Sequence, residues 1–400
     1  MLWLASIIGI CVLCLNAVSR TNETTDPGLS LALNPFNTEA RVNAVTAALN
    51  GTEPVELEYL SGMARAAIGM SRADARGYSL LGAVQERAGD HAAAQMLYRL
   101  ALEHSKTELH ALLRLAEISL ASSDIVGAID NIDLILRRWP DYWSKVEAIF
   151  VAAAGDAATS TVLANKLDEL PPWRGRAIAL LSRAPTALGF VRNLMAAAPA
   201  SVRAAPGWGA ERDTVIGALA TAKAYGDAYG LFLSSLRAEE SELAAYVFDG
   251  GFTRPPSRSY FGWRVQRTGA TDISLGPVAR SGASGLRVRF LDSPVRPGMV
   301  SQNLLLPFGR YRLNVEASSM AAKTPKGLFW RVRCSEGLQL ARLDVPQGNA
   351  TRTTLELEFE VPASGCAVQT LSLDTDVMTD SWRDRYQGEV RFDTIAIIRL

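Results

Sequence analysis

The side chains of this 400-residue chain that are equipped for chemistry gather in its last third. In "FWRVRC", Arg331 and Arg333 alternate with Trp330 and Val332, so two planar guanidinium forks share one face of a strand. Such forks hydrogen-bond hydroxyls or anionic groups. Gln302 and Gln369 fall in phase with Leu304 and Leu371, on faces where a half-buried amide needs partners. Trp382 and Tyr386 lie in "TDSWRDRYQG", a charged stretch without apolar neighbours in sequence. An exposed indole flanked by Arg383 and Arg385 can stack on a flat ring such as a sugar, or tuck against helices as a staple. The arginines and glutamines read in two ways, as the floor of a ligand groove or as a polar seam against helices.

Two further groups carry reactive potential. Cys334 ends a strand-like run and Cys366 follows a "PASG" turn. A bridge between them would close a loop of about 32 residues and add about 3–4 kcal/mol in the chain-entropy model. Two buried free thiols are the alternative. No CxxC spacing suggests a metal. Nor does a catalytic pattern emerge: GxSxG, HExxH and phosphate-loop motifs are absent. His91, His104 and His110 fall on helices and read as solvent-facing. The carboxylate pairs Asp374/Asp376 and Asp380/Asp384 lack the cleft that two-carboxylate glycosidase chemistry needs. The expectation is a chain that binds and does not catalyse, without a cofactor.

Charge narrows the partners. The chain holds 41 Lys/Arg and 41 Asp/Glu, which argues against nucleic acid as a main partner. From Phe248 onward there are 20 basic against 15 acidic residues, nearly all of the bases being arginine. The first segment, "MLWLASIIGICVLCLNAVSR", is uncharged from Leu2 to Ser19. Its length and Trp3 suit an uncleaved membrane anchor, with a cleaved signal peptide as the alternative. Either way the body is exported, in keeping with a possible disulfide. Residues 21–35, "TNETTDPGLSLALNP", read as a loose linker.

The elements that must position these groups change type near residue 247. Before it, "LLGAVQERAGDHAAAQMLYRLALEHSK" (80–106) aligns with "RLAEISLASSDIVGAIDNIDLILRRWP" (114–140) at a spacing of about 34 residues. Gly82 falls on Ala116, Ala94 on Ala128, Tyr98 on Ile132, Ala101 on Ile135, and Gly89-Asp90 on Ser123-Asp124. The order of small, alanine, aromatic and alanine positions, with Pro140 closing the second unit, resembles the tetratricopeptide repeat. A degenerate unit upstream uses Ala48, Leu60, Ala64 and Ala67. The resemblance covers about 40–140, and helical pairs without the signature continue to 245. It implies an α-solenoid with a surface for peptides or proteins.

After "VFDGGFTRPPSRSYFGWRV" (247–265) the apolar period becomes two. The runs 285–290, 311–317, 354–361, 368–374 and 388–400 alternate between turns, which reads as an antiparallel β-sandwich. The sequence "FDGGF", the strand "FGWRV", "SGASGLRVRF" and the closing "GEVRFDTIAII" resemble carbohydrate-binding modules of the galactose-binding-like jelly-roll type. That likeness covers about 247–400. It implies a sugar ligand, and a calcium site only if Asp393 retains the role, because Thr253 stands where such modules carry a glutamate. Helical repeats joined to such a module also resemble bacterial envelope proteins of exopolysaccharide systems.

The expected organisation is therefore a membrane anchor or signal in 1–20, a linker in 21–35, tetratricopeptide-like helices in 36–245 and a β-sandwich in 246–400. The expected setting is the bacterial inner membrane, reached through 2–19, with the body in the periplasm, or free in that compartment after cleavage. The expected partner is envelope polysaccharide or the proteins that assemble and export it. A protein scaffold in which the sandwich is a cap or docking surface is the alternative.

Overall fold

The computed structural model describes residues 2–52, 55–277, 284–377 and 383–400. Helices come first: α1 (Leu2–Asn22), α2 (Pro27–Leu33), α3 (Thr38–Asn50), α4 (Leu57–Met70), α5 (Ala75–Arg87), α6 (His91–His104), α7 (Leu109–Ala121) and α8 (Ile125–Arg138). They continue as α9 (Trp143–Gly155), α10 (Ala157–Asp168), α11 (Arg174–Leu181), α12 (Leu188–Ala197), α13 (Ala200–Arg203), α14 (Trp208–Thr221), α15 (Tyr225–Ser234) and α16 (Ala238–Ser241). Ten strands follow.

The 34-residue offset is built into the turns. Gly89 and Ser123 both adopt left-handed backbone, with φ of 86° and 61°. Each lets the next residue reach back, Asp90 N–H to Gln85 O at 2.9 Å and Asp124 N–H to Ser119 O at 2.8 Å. The same aspartates then cap the following helices, accepting from Ala93 N–H (2.9 Å) and Gly127 N–H (3.0 Å). The device recurs between α14 and α15, where Lys223 has φ 62° and Ala224 N–H bonds Leu219 O at 2.9 Å. Between the turns, the aligned residues are core. Ala94, Tyr98, Ala101, Ala128, Ile132 and Ile135 are all buried. Gly82 is small because Tyr98 lies on it: a Cβ there would sit 2.8 Å from the Tyr98 ring.

The expected linker at 21–35 is corrected. Most of it is helical, because Asp26 caps α2 by accepting from Leu29 N–H (2.9 Å) and Pro27 occupies the first turn. It is also pinned. Ser19 Oγ donates to Ser30 O at 2.9 Å, Ser30 Oγ donates to Ser19 O at 2.8 Å, and Asn37 Nδ2 reaches Ser19 Oγ at 3.0 Å. Ile10, Val12, Leu13, Leu15 and Val18 on α1 are exposed. Among the described residues no single helix is long and apolar enough to cross a membrane.

The chain divides into two compact units, 1–177 and 178–400. The expected border at 245/246 marks the end of the helices but not the border between the units. The reason is aromatic. Phe232 on α15 packs on Phe248 (5.1 Å between centroids) and Phe261 (5.5 Å), and Tyr229 meets Phe261 edge-on at 5.0 Å. Arg254 adds an ion pair to Glu240 of α16 at 2.8 Å.

The strands of the second unit are β1 (Arg264–Val265), β2 (Thr271–Pro277), β3 (Ser284–Ser293), β4 (Val300–Leu304), β5 (Gly309–Lys323), β6 (Phe329–Cys334), β7 (Gln339–Asp344), β8 (Gly348–Val361), β9 (Gln369–Asp374) and β10 (Tyr386–Arg399). They form two antiparallel five-stranded sheets, ordered β1-β4-β9-β6-β7 and β2-β3-β10-β5-β8. The alternating runs read from sequence coincide, to within a residue at the ends, with stretches of β3, β5, β8, β9 and β10. Their inward residues make one core with Trp263, Trp330 and the half-cystines. Cys334 and Cys366 are bridged, tying the end of β6 to the turn before β9 across 32 residues. The outer strand β8 turns Glu356, Glu358 and Glu360 outward, and Glu358 meets Arg310 and Arg312.

Candidate functional site

The sheet β1-β4-β9-β6-β7 sorts its side chains by the two-residue period. Val300, Leu304, Leu371, Leu373, Trp330, Val332, Ala341 and Leu343 point into the core. The opposite phase sends polar groups outward. Registry places Arg264 beside Ser301, Ser301 beside Ser372, Ser372 beside Arg331, and Arg331 beside Arg342. This row crosses the whole sheet, about 19 Å at the usual strand spacing. The next row sets Asn303 beside Thr370 and Thr370 beside Arg333.

The row has two electrically different ends. At the β6–β7 end, charges are matched. Arg331 pairs with the buried Asp374, whose carboxylate also accepts from Ser372 Oγ (2.6 Å) and from Gly298 N–H. Arg342 pairs with Asp376 (2.8 Å) and Asp344 (3.1 Å) and lies 3.8 Å over the Phe329 ring. At the β1–β4 end, matching stops. Arg264 Nη2 donates to Asn303 Oδ1 at 3.0 Å, and Thr370 Oγ1 donates to the same oxygen at 3.0 Å. Burial lowers the Arg264 pKa from the usual arginine range, with no carboxylate among the described residues to offset it. Its buried Nε has no partner. Arg333 is exposed on the neighbouring row.

Among the sequence candidates, the structure brings Arg331 and Arg333 together on this outer face and sends three others elsewhere. Gln302 faces the core and is fully buried, its Oε1 accepting from Phe248 N–H (3.0 Å) and its Nε2 donating to Phe248 O (2.8 Å). Gln369, equally buried, accepts from Leu306 N–H (2.8 Å) and donates to Cys366 O (2.8 Å). Both amides hold backbone in place, so neither belongs to a ligand floor. Tyr386 is corrected as well: it has 0% exposure, packs on Phe290 at 5.3 Å and donates to Gly327 O at 2.7 Å. Trp382 lies outside the described residues.

For the calcium reading, Thr253 Oγ1 donates to Asp249 Oδ1 at 2.7 Å, while Asp393 is engaged by Arg391 (3.3 Å) and Arg352 (3.4 Å). Among the described residues no group of three or more His, Cys, Asp or Glu is placed to hold a metal.

Sequence reasoning missed Arg264, Asn303 and Arg342. Arg342 was legible in principle from the alternation of "QLARLD". Arg264 was not, since β1 is only two residues long.

The first unit offers a different kind of surface. A groove of about 770 Å³ is lined by Arg76, Ser79, Glu86, Glu108, His110 and Arg114 among others. Two of its arginines are paired internally, Arg76 with Glu39 (2.7 Å) and Asp74 (2.8 Å), and Arg114 with Glu86. His110 Nδ1 lies 2.9 Å from Ser79 Oγ.

No family model matches the sequence, and no curated protein matches it. Several solved structures resemble the sandwich part. One, described as "CBM4 structure and function", is 13% identical, covers 38% of this chain and 99% of its own, with a TM-score of 0.29. The carbohydrate binding module CBM6cm-2 of Cellvibrio mixtus lichenase 5A, in complex with cellotriose, is 12% identical over 34% of this chain and 92% of its own, at 0.22. CsCBM6-3 of Clostridium stercorarium, in complex with cellobiose, is 13% identical over 34% and 86%, at 0.21. At such scores these likenesses carry no argument; the sandwich assignment rests on strand order and registry.

Proposed function

We propose that this chain is a non-catalytic glycan-binding protein of the bacterial cell envelope, in which a helical, tetratricopeptide-like array is joined to a sugar-binding β-sandwich. The observation that carries the reading is the outer face of β1-β4-β9-β6-β7. It is a continuous polar row with arginine forks at both ends and hydroxyls between them. Planar donors flanking hydroxyls suit the ring hydroxyls of an extended saccharide.

The setting is part of the same proposal. The uncharged run before Ser19 serves as an inner-membrane anchor, or as a signal removed on export. The Cys334–Cys366 bridge fits an oxidising compartment such as the periplasm. Within that compartment, the array holds partners of polysaccharide assembly or export while the sandwich engages the polymer.

The test is a glycan array probed with the full chain, beside the variant Arg333→Ala, whose exposed side chain can be removed without orphaning a buried carboxylate. Binding to one glycan class, weakened about tenfold or more in the variant at unchanged melting temperature, is the expected result. Silence on every glycan by a folded protein would turn attention to a second reading, a protein scaffold. The 770 Å³ groove of the first unit favours that alternative. Trp382→Ala tests separately whether the indole stacks on sugar.

A further inference from the structure

Resting on that glycan reading, we infer that the ligand is an acidic polysaccharide, and that a carboxylate on its sugar ring docks over β4 and β9, between Arg264 on β1 and Arg333 on β6. The argument is one of missing counter-charge. Taking a guanidinium out of water is costly unless an anion or a full set of acceptors replaces the lost hydration. Elsewhere on the sandwich, the partly buried arginines meet that requirement from within the chain. Arg287 reaches Asp272 at 3.0 Å, Arg312 reaches Glu358 at 2.8 Å, and Arg331 and Arg342 have Asp374 and Asp376.

Arg264 is different. It is partly buried, it has one neutral acceptor in Asn303, and no ion pair reaches it among the described residues. Asn303 cannot supply the missing charge, and its Oδ1 already accepts from Thr370 as well. The Arg264 Nε is buried without a partner, as is that of Arg331, but Arg331 has Asp374 beside it and Arg264 has no such carboxylate among the described residues. The side chain of Arg333, one strand beyond Thr370, makes neither a hydrogen bond nor an ion pair among the described residues. Asn303 and Thr370 therefore form a neutral platform with an uncompensated cation on each side. An anion seated there restores the balance that Asp374 gives Arg331.

A neutral glycan would leave Arg264 as it is, so the charge decides the class. The half-buried Ser301 and the paired Arg331 then supply hydroxyl-directed contacts along the same chain. A polymer of uronic acids meets both demands with one repeat.

The experiment uses the full chain and three probes: polygalacturonate, the same polymer fully methyl-esterified, and dextran sulfate. Esterification removes the charge and keeps the sugar backbone. The expected result is binding to polygalacturonate about tenfold or more tighter than to its ester, falling as salt rises and lost by about tenfold in Arg264→Ala. Arg264→Lys keeps the charge but not the fork, and should recover part of the loss. Arg333→Ala, at an exposed position, covers the case in which Arg264 variants misfold. Equal binding of acid and ester overturns this inference and leaves the glycan reading intact. Tighter binding of dextran sulfate than of polygalacturonate overturns the carboxylate assignment. Binding of none of these, nor of any arrayed glycan, sinks both.

Discussion

Gly250 and the carbonyl oxygen of Ile395 leave no space between them for a side chain: a Cβ on Gly250 would lie 2.1 Å from that oxygen. In return, Ile395 N–H donates to Gly250 O at 2.8 Å. The turn that opens the sandwich is thereby stitched to the strand that closes it, β10.

Gly250→Ala should therefore cost about 3 kcal/mol, since the clash is with backbone that cannot rotate away. Urea unfolding followed by tryptophan fluorescence measures it. A loss below about 0.5 kcal/mol, the size of an ordinary surface change, would mean the turn can shift freely.

Gln302→Leu removes both bonds to Phe248 while preserving bulk. Two half-buried backbone groups lose their partner at up to about 1–3 kcal/mol each, so a fall in stability is expected with glycan affinity of the residual folded protein unchanged. Lost affinity at full stability would restore Gln302 to a ligand floor.

The cluster of Phe232, Phe248 and Phe261 implies that a fragment beginning at residue 178 unfolds as a single cooperative unit. One beginning at 246 should be less stable and bind hydrophobic dye. Phe232→Ala in the full chain should cost about 3–4 kcal/mol, and identical melting of the two fragments would refute the coupling.

In the helical unit, burial pushes the Glu86 carboxyl up, but hydrogen bonds from Arg114 and Tyr98 outweigh it and leave its pKa below the ordinary value. A depressed carboxylate stabilises the fold at pH above its unfolded pKa, about 4.3, and that contribution disappears as pH falls through the folded value. Thermal melts should thus drop more steeply below about pH 4.5 for the native chain than for Glu86→Gln. Parallel curves would remove Glu86 from the account.

Much of the architecture could be read in advance because it is local. The 34-residue offset places Gly89 with Ser123 and Asp90 with Asp124, and each pair depends only on its own turn. Strand phase likewise put Trp330, Val332 and Cys334 inside and Arg331 and Arg333 outside. What escaped was set by contacts distant in sequence. Gln302 finds Phe248 54 residues away. Tyr386 follows a charged stretch, yet it opens β10 and closes on Gly327, 59 residues back. The polar composition of 21–26 hid the Asp26-Pro27 start of α2, although that dipeptide is itself a helix-start signal. Arg264 depends on β1 pairing with β4, which no short window of sequence reveals.

The acidic stripe on β8 bears on how this protein behaves in crowded solution. An outermost strand carries a free ladder of amides and carbonyls, ready to zip onto an identical strand from another molecule. Here Glu356, Glu358 and Glu360 would be carried into that seam in close succession, and among the described residues only Glu358 is ion-paired with arginines. The repulsion among these carboxylates discourages such growth, and added salt that screens it lowers the barrier along this margin.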